Sequence, residues 1–235
     1  MHIEHYITII LLCIIINISD AQEYYDPYET VSDNLTAFAW NDSSKTFLKL
    51  QLYIVFNYEE ETFYLHVVHP GSMAEIELKE TFRDNLLANI KKYKERNKRA
   101  ISDKLKIDEL IGKLPLTQVY FEMNEENWCK VDSLQLETWI CSQDKNNYWF
   151  IVESEGVNCE ENSEPKHIEL YFNDEDVDAF ENAINNKINH YLKMSKRIDE
   201  IVKDGRIPSF NNLYKEILMK PDERQDSTGT SGKEK

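Results

Sequence analysis

Glycine and proline are scarce, six of each in 235 residues. That excludes collagen-like repeats, mucin-like stalks and Gly/Pro-rich low-complexity chains. No group of the glycines forms GxGxxG, GxxxxGK or GxSxG, so the sequence offers neither a phosphate cradle nor a nucleophile elbow. Positive charge is also short, 27 Lys+Arg against 43 Asp+Glu for a net charge of −16. A surface of that sign repels phosphate backbones and anionic membranes, so nucleic acid is not an expected partner. What the chain does have is 41% hydrophobic and 11% aromatic residues, enough to bury a core.

Only one hydrophobic run is long, and it opens the chain: Ile7 to Ile16 reads ITIILLCIII. It falls short of the roughly 20 apolar residues a spanning helix needs. Ser19 and Ala21 then place small residues at the −3 and −1 positions of a signal-peptidase site, although the amino-terminal flank lacks Lys or Arg. The segment reads as a signal peptide cleaved after Ala21. It takes Glu4 and Asp20 with it, moving the net charge from −16 to −14. No later segment approaches a membrane span, so the mature chain is expected to be secreted or associated with the extracellular surface.

Cys13 leaves with the leader, and Cys129, Cys141 and Cys159 then meet an oxidising compartment. Their spacing contains no CxxC, which argues against a zinc site. Hairpin register supplies a pairing. If the second hairpin turns at Asp144 to Asn147, Gln143 faces Tyr148, Cys141 faces Phe150 near the turn, and Cys159 falls opposite Asp132. A Cys129–Cys159 disulfide is therefore expected, with Cys141 left as a free thiol or an intermolecular link.

The chain resembles itself. Leu50-Gln51-Leu52, Phe63-Tyr64-Leu65, Gly71 and Ile76-Glu77-Leu78 recur as Leu134-Gln135-Leu136, Tyr148-Trp149-Phe150, Gly156 and Ile168-Glu169-Leu170. In each copy, alternation at period two gives way to helical period. Leu48, Leu50, Leu52, Ile54 and Phe56 share one strand face, and Phe63, Leu65 and Val67 share another across a turn at Asn57 to Glu61. Phe82, Leu86, Ile90 and Tyr93 then fall at helical spacing, and Pro115 is expected to stop the helical region after Leu114. In the second copy Asn173 or Asp174 can cap a helix with the stripe Val177, Phe180, Ile184, Ile188, Tyr191, Ile198 and Val202. Strands near Ala37 to Trp40 and Thr117 to Met123 would precede the two hairpins, and a last helix is expected from Phe210 to Met219. The expected fold is thus α+β: two tandem units of antiparallel strands followed by a helix, packed as one or two small domains. The boundaries follow as a signal peptide at 1–21, a flexible segment at 22–35, a first repeat at 36–114, a second repeat with the carboxyl-terminal helix at 115–220, and a disordered tail at 221–235.

No catalytic constellation stands out. His66 and His69 are the only close histidines after the leader, and residues three apart on a strand point to opposite faces, so no metal site or cofactor is expected. Glu59 to Glu61 and Asn173 to Asp176 lack the spacing of a calcium loop and suit a solvated turn and a helix start. Lys91, Lys92, Lys94, Arg96, Lys98 and Arg99 form a local basic patch that could hold an anionic group, although helical spacing also puts such a run on the wet face. Asn34 and Asn41 head glycosylation sequons. Trp139 shares a strand face with Gln135 and Glu137, so Trp139, Tyr148 and Trp149 are candidates for partner contact.

Phe38-Ala39-Trp40-Asn41-Asp42, a lysine soon after, and the strand pair ending Phe63-Tyr64-Leu65-His66-Val67-Val68 with a following Ile-Glu-Leu resemble the FAINT domains of secreted piroplasm (Theileria and Babesia) proteins. The resemblance implies a surface or host-directed antigen without catalysis and assigns no functional residues. The repeated strand-helix architecture is also similar to the peptide-binding platform of class I histocompatibility molecules and their viral mimics, whose sequence motifs are absent. The reading is a secreted, non-enzymatic protein acting through contact with an unidentified protein partner at a cell surface or in a host environment. The alternatives are a small-ligand carrier of lipocalin type, which should be nearly all-β, and a class I platform-like immune-evasion binder. Expression in a secretory cell should yield soluble protein beginning at Gln22; amino-terminal sequencing that finds Met1 on membrane-bound product would contradict the leader assignment.

Overall fold

The computed structural model describes residues 28–70, 72–124, 127–142, 147–160 and 164–203. The expected signal peptide at 1–21, the helix expected at Phe210 to Met219 and the tail expected at 221–235 lie outside the described residues. The chain divides into two units, Met1–Asn185 and Asn186–Lys235.

The first unit is α+β, with ten strands in one antiparallel sheet. In chain order these are β1 (Tyr28–Asn41), β2 (Thr46–Asn57), β3 (Thr62–His69), β4 (Ser72–Glu77), β5 (Asp108–Lys113), β6 (Thr117–Asn124), β7 (Asn127–Leu134), β8 (Leu136–Ser142), β9 (Tyr148–Ser154) and β10 (Glu169–Phe172). Their order across the sheet is β5-β8-β9-β10-β1-β2-β3-β4-β6-β7. Helix α1 (Glu80–Asp103) follows β4, and α2 (Asp174–Asn182) follows β10.

Alternation explains the sheet. Leu50, Leu52 and Ile54 of β2 are buried, as are Phe63, Leu65 and Val67 of β3, and register sets Ile54 beside Leu65 and Leu52 beside Val67. The same inner face continues through Ala74 and Ile76, then Val119 and Phe121, on one side. On the other side it runs through Ala37, Leu170, Phe172, Phe150, Val152, Leu136 and Ile140. The hairpin turn forms as expected, because Asn57 Oδ1 accepts from the amides of Glu59 (2.9 Å) and Glu60 (3.1 Å), and Glu61 takes a left-handed φ of 52°.

One chain segment forces the sheet to curl. β7 is an edge strand and β8 lies next to the opposite edge, yet only Gln135 separates them in sequence. The two ends of the strand order must therefore approach each other. The Cys129–Cys159 disulfide makes the same closure covalent: Cys129 lies on β7, Cys159 follows β9, and their Cα atoms are 5.7 Å apart. The expected pair forms for a different reason from the register argument. Ser142 pairs with Tyr148, so Cys141 faces Trp149 and not Phe150, one residue from the expected register. β7 pairs with β6, with Cys129 opposite Phe121, and never continues the β8–β9 hairpin.

Four aromatic rings seat the helices on the inner face. Tyr93 of α1 meets Phe150 at 5.3 Å, Phe150 meets Phe172 at 6.1 Å, and Phe172 stacks on Phe180 of α2 at 4.9 Å. The Tyr93 hydroxyl is buried with them and lies within hydrogen-bond distance of Asp174 Oδ1 (2.8 Å) and Tyr148 O (3.2 Å). Farther along α1, Asn89 donates to Thr138 Oγ1 (3.0 Å), which donates to Gly112 O (3.0 Å). A Cβ at Gly112 would lie 3.1 Å from the Asn89 amide, so glycine permits this close approach. Asn173 caps α2 by accepting from the Asp176 amide at 3.0 Å, as its position suggests.

Three boundaries differ from expectation. β1 begins at Tyr28, inside the segment expected to be flexible, because Tyr28 pairs with Asn57 and its ring meets Tyr64 and His66. α1 stops at Asp103 and not near Leu114: Lys104 adopts φ 51° and its amide caps Ala100 and Ile101, after which Asp108–Lys113 joins the sheet as β5. β5 takes the place beside β8, and Thr117–Asn124 pairs instead with β4 and β7. The helical stripe from Val177 onward is likewise interrupted by a π turn at Ala183–Lys187.

The second unit contributes α3 (Ile188–Lys203), with Ile188 buried and Tyr191 half-buried. The side chains of Ile198 and Val202 lie outside the described residues. Among the described residues no helix is long and apolar enough to cross a membrane. Replacing Cys129 and Cys159 together by serine should lower the unfolding free energy by about 2–4 kcal/mol, the usual contribution of a bridge closing a loop of this size. Urea titration checks this, and an unchanged midpoint would mean that the closure holds without its covalent link.

Candidate functional site

The inner face is filled by side chains and covered by helices, so chemistry available to a partner must be sought on the outer face. Register builds that face row by row. In one row Leu110, Trp139, Ile151, Tyr171 and Phe38 lie beside one another on β5, β8, β9, β10 and β1. Two residues along the strands, Cys141 faces Trp149. Two residues in the other direction, Glu137 faces Glu153 and Glu153 faces Glu169, and the same step from Phe38 on β1 reaches Trp40, which faces Phe47.

The aromatic part is one connected cluster. Phe47 stacks on Trp149 at 4.9 Å and meets Trp40 and Tyr171 edge-on, each at 5.1 Å. Phe38 meets Trp149 at 5.5 Å. All five rings are half-buried, although they lie on the face opposite the helices. Such contacts stabilise by about 0.5–1.5 kcal/mol each beyond the area they bury. This face is also incompletely satisfied: the indole N–H groups of Trp149 in the cluster and of Trp139 on the neighbouring strand are shut off from solvent and have no hydrogen-bond acceptor. A buried donor without a partner costs about 1–3 kcal/mol.

The carboxylate row is uncomfortable for a different reason. Like charges directly opposite on neighbouring strands repel. Lys113 relieves Glu137 through an ion pair at 2.6 Å, and the Tyr171 hydroxyl donates to Glu169 at 2.9 Å. Glu153 has no cation within ion-pair distance among the described residues. Burial, then Glu169, Glu137 and Asp108, hold its carboxyl above the ordinary carboxylate value, with His167 opposing them in part. Cys141 is free and half-buried on the same face, its thiol raised first by burial and then by Asp108.

A second outer cluster occupies β3, β4 and β6. His66 Nε2 lies 3.2 Å from Glu75 Oε1, Tyr28 packs edge-on against His66 at 5.3 Å, and Glu75 pairs across to Tyr120. Tyr64 beside them donates to Glu60 and is buried. Glu75 is 7% exposed, and burial followed by the Glu60 charge raises its pKa to about 7, despite the hydrogen bond from Tyr28 that favours ionisation. The Tyr28 hydroxyl is pushed up to about 12 by burial and then by Glu75. This cluster can hold or exchange one proton near neutrality. Among the described residues no group of three or more His, Cys, Asp or Glu could hold a metal ion.

Of the residues singled out in the sequence, Trp139 and Trp149 lie on the outer face. Tyr148 instead points inward, 5% exposed, with its hydroxyl donating to Leu105 O at 2.8 Å. Asn34 is exposed at a bulge in β1 with φ 59°, and Asn41 ends that strand, its side chain accepting from the Ser44 amide. The basic run lies on α1 and is largely engaged. Lys94 bridges to Asp178 and Glu181, Arg96 reaches Glu109 (3.3 Å) and Leu110 O (3.2 Å), Arg99 faces Asp103 (3.8 Å), and Lys92 reaches Asn89 (3.3 Å). Lys91 and Lys98 remain exposed, and Lys98 lines a groove of about 350 Å³ between α1 and α2 with Lys94, Ile101, Asp174 and Asp178. His69 lies beside His167, and burial, followed by that neighbour, lowers its pKa.

The direction of the Glu75 shift fixes a pH dependence. A carboxyl whose pKa rises on folding contributes stability that is present below about pH 4.5 and lost as pH rises through about 7. Glu75→Gln is permanently neutral, so it should match the parent protein at pH 4 and exceed it at pH 8.5 by on the order of 1–3 kcal/mol. Urea midpoints at the two pH values check this; equal differences at both would place the ionised carboxylate in a well-solvated or well-paired site. No protein-family model matches the chain, and no curated protein or solved structure is detectably similar to it.

Proposed function

We propose that the protein is a secreted, non-enzymatic binding protein that acts through the outer aromatic face of its sheet on a protein partner at a cell surface or in a host environment. The observation that carries this reading is the connected set Phe38, Trp40, Phe47, Trp149 and Tyr171, half-buried on the face away from the helices, with the indole donors of Trp149 and of Trp139 in the adjoining strand left without acceptors. Large, stiff, amphipathic rings are the residues that most often dominate binding energy at protein interfaces. An apolar sheet face that no helix covers is costly to keep in water unless something docks on it.

Three further readings belong with this one. The two meanders β2-β3-β4 and β8-β9-β10, each followed by a helix, support descent from a duplicated strand-helix unit. In that duplication β5 would take the position beside β8 that β1 takes beside β2. The resemblance to FAINT domains supports a parasite antigen as the kind of protein. Secretion is supported by the leader and by the disulfide, since such bonds persist in oxidising compartments. A lipocalin-type carrier is less well supported, because the inner face is filled by Leu52, Ile54, Phe150 and Phe172 and crossed by α1 and α2.

The test is capture. Mature protein immobilised by its carboxyl terminus should retain a discrete protein from host serum or detergent-solubilised cell membranes. Trp139→Ala and Phe47→Ala should each reduce that capture about tenfold or more, the loss of roughly 1.4 kcal/mol or more typical of an interface anchor, while circular dichroism stays unchanged. Full capture by both folded variants would sink the assignment of the face.

A further inference from the structure

The aromatic rows do not stand alone on the outer face. Along one side of the row that holds Trp139, Ile151 and Tyr171 runs the row Glu137, Glu153 and Glu169, which strand register sets directly opposite one another on β8, β9 and β10 and which leads on to Trp40 and Phe47 on β1 and β2. Resting on the reading that this face binds protein, we infer that its partner is cationic: a segment or surface presenting arginine or lysine side chains, whose charged heads meet the carboxylate row while their stems and guanidinium planes lie over the rings.

Three observations converge on that chemistry. The carboxylate row is self-repelling in the free protein, and Lys113 neutralises only its outermost member. Glu153, in the middle, has a carboxylate neighbour on each side and no cation within ion-pair distance among the described residues, so an incoming positive charge would relieve both contacts at once. Next to the row stand Trp139 and Tyr171, the ring types whose faces attract guanidinium and ammonium groups most strongly. Finally, the whole chain carries −16, so long-range attraction and local recognition favour the same sign of partner. An acidic or purely apolar partner would leave Glu153 buried between like charges, and the association would lose affinity where the row closes.

The basic run on α1 cannot serve as an internal occupant of this row. Lys94 and Arg96 are already held by Asp178, Glu181 and Glu109. Among the described residues, no lysine or arginine forms an ion pair with Glu153 or Glu169, so the row is open to a positive charge from another molecule.

A short synthetic peptide of alternating Arg and Gly is the probe, compared with Glu-Gly and Ser-Gly peptides of equal length and read by tryptophan emission of the intact, disulfide-bonded mature protein. The Arg-Gly peptide should bind, shift the emission, and weaken steeply as salt rises from roughly 50 to 500 mM, while the other two leave the spectrum unchanged. Glu153→Gln should weaken the Arg-Gly peptide about fivefold, in keeping with one charge contact, whereas Glu59→Gln, which removes the same charge from an exposed turn, should leave it unchanged. Equal losses from both variants would reduce the effect to diffuse attraction by an acidic protein, and equal binding of the Glu-Gly peptide would reverse the sign; either overturns the inference. Failure here is separable from failure of the face. A captured protein lost by Trp139→Ala but retained by Glu153→Gln in high salt keeps the face and discards the cationic partner, whereas a captured protein indifferent to Trp139→Ala discards both.

Discussion

Register through β8, β9, β10 and β1 is the constraint on which the first unit turns. Because side chains alternate with a period of two, one set of pairings decides both faces. Ile140 beside Phe150 and Phe150 beside Phe172 build the inner surface that receives α1 and α2. The intervening residues, through the same hydrogen bonds, become Trp139 beside Ile151 beside Tyr171 beside Phe38. A slip of one residue in β9 would drive Trp149 and Glu153 into the core and lift Phe150 and Val152 into water. The outer pattern is therefore held by the energy of the inner one, and an outer row that repels itself can persist because the core beneath it fixes its position.

The curl adds the second condition. A ten-stranded open sheet with a continuous apolar face needs more cover than two helices supply, and bending the sheet onto its own apolar side reduces what must be covered. Gln135 makes that bend unavoidable by joining an edge strand to the strand beside the opposite edge. The disulfide then limits how far the sheet can reopen in the folded chain and how widely β7 can wander from the β9 loop in the unfolded one.

Much of this was legible where a local period spoke for itself. The β2–β3 hairpin, its turn at Asn57, the buried stripe Phe82, Leu86, Ile90 and Tyr93, and the Asn173 cap all follow from neighbours in sequence. β5 did not follow, because Leu110 and Ile111 lie downstream of a strong helical stripe and nothing before Lys104 marks a stop: the helix ends in a left-handed lysine and not a glycine. The carboxylate row was hidden by a single residue. Glu137, Trp139 and Cys141 plainly share a face, as do Trp149, Ile151 and Glu153, but with Gln143 set opposite Tyr148 the two faces fall on different sides of the sheet. Pairing Ser142 with Tyr148 brings them together.

Tyr148 shows the same sensitivity from the inside. Grouped with Trp149 by sequence, it belongs to the opposite surface, where its ring is buried and its hydroxyl holds the chain after α1 at Leu105. Adjacent aromatics on a strand are thus never one site: one of the pair completes the core and the other is left for water or a partner. Cys129 and Cys159 escaped the same error because their meeting depends on the curl and not on hairpin register. A strand that leaves one edge of the sheet and continues beside the other brings the β7 thiol toward the segment following β9 however the β8–β9 turn is spaced. Long-range closure and short-range register are separate determinants in this chain. The disulfide reports the first, and the outer face, on which the proposed binding depends, reports the second.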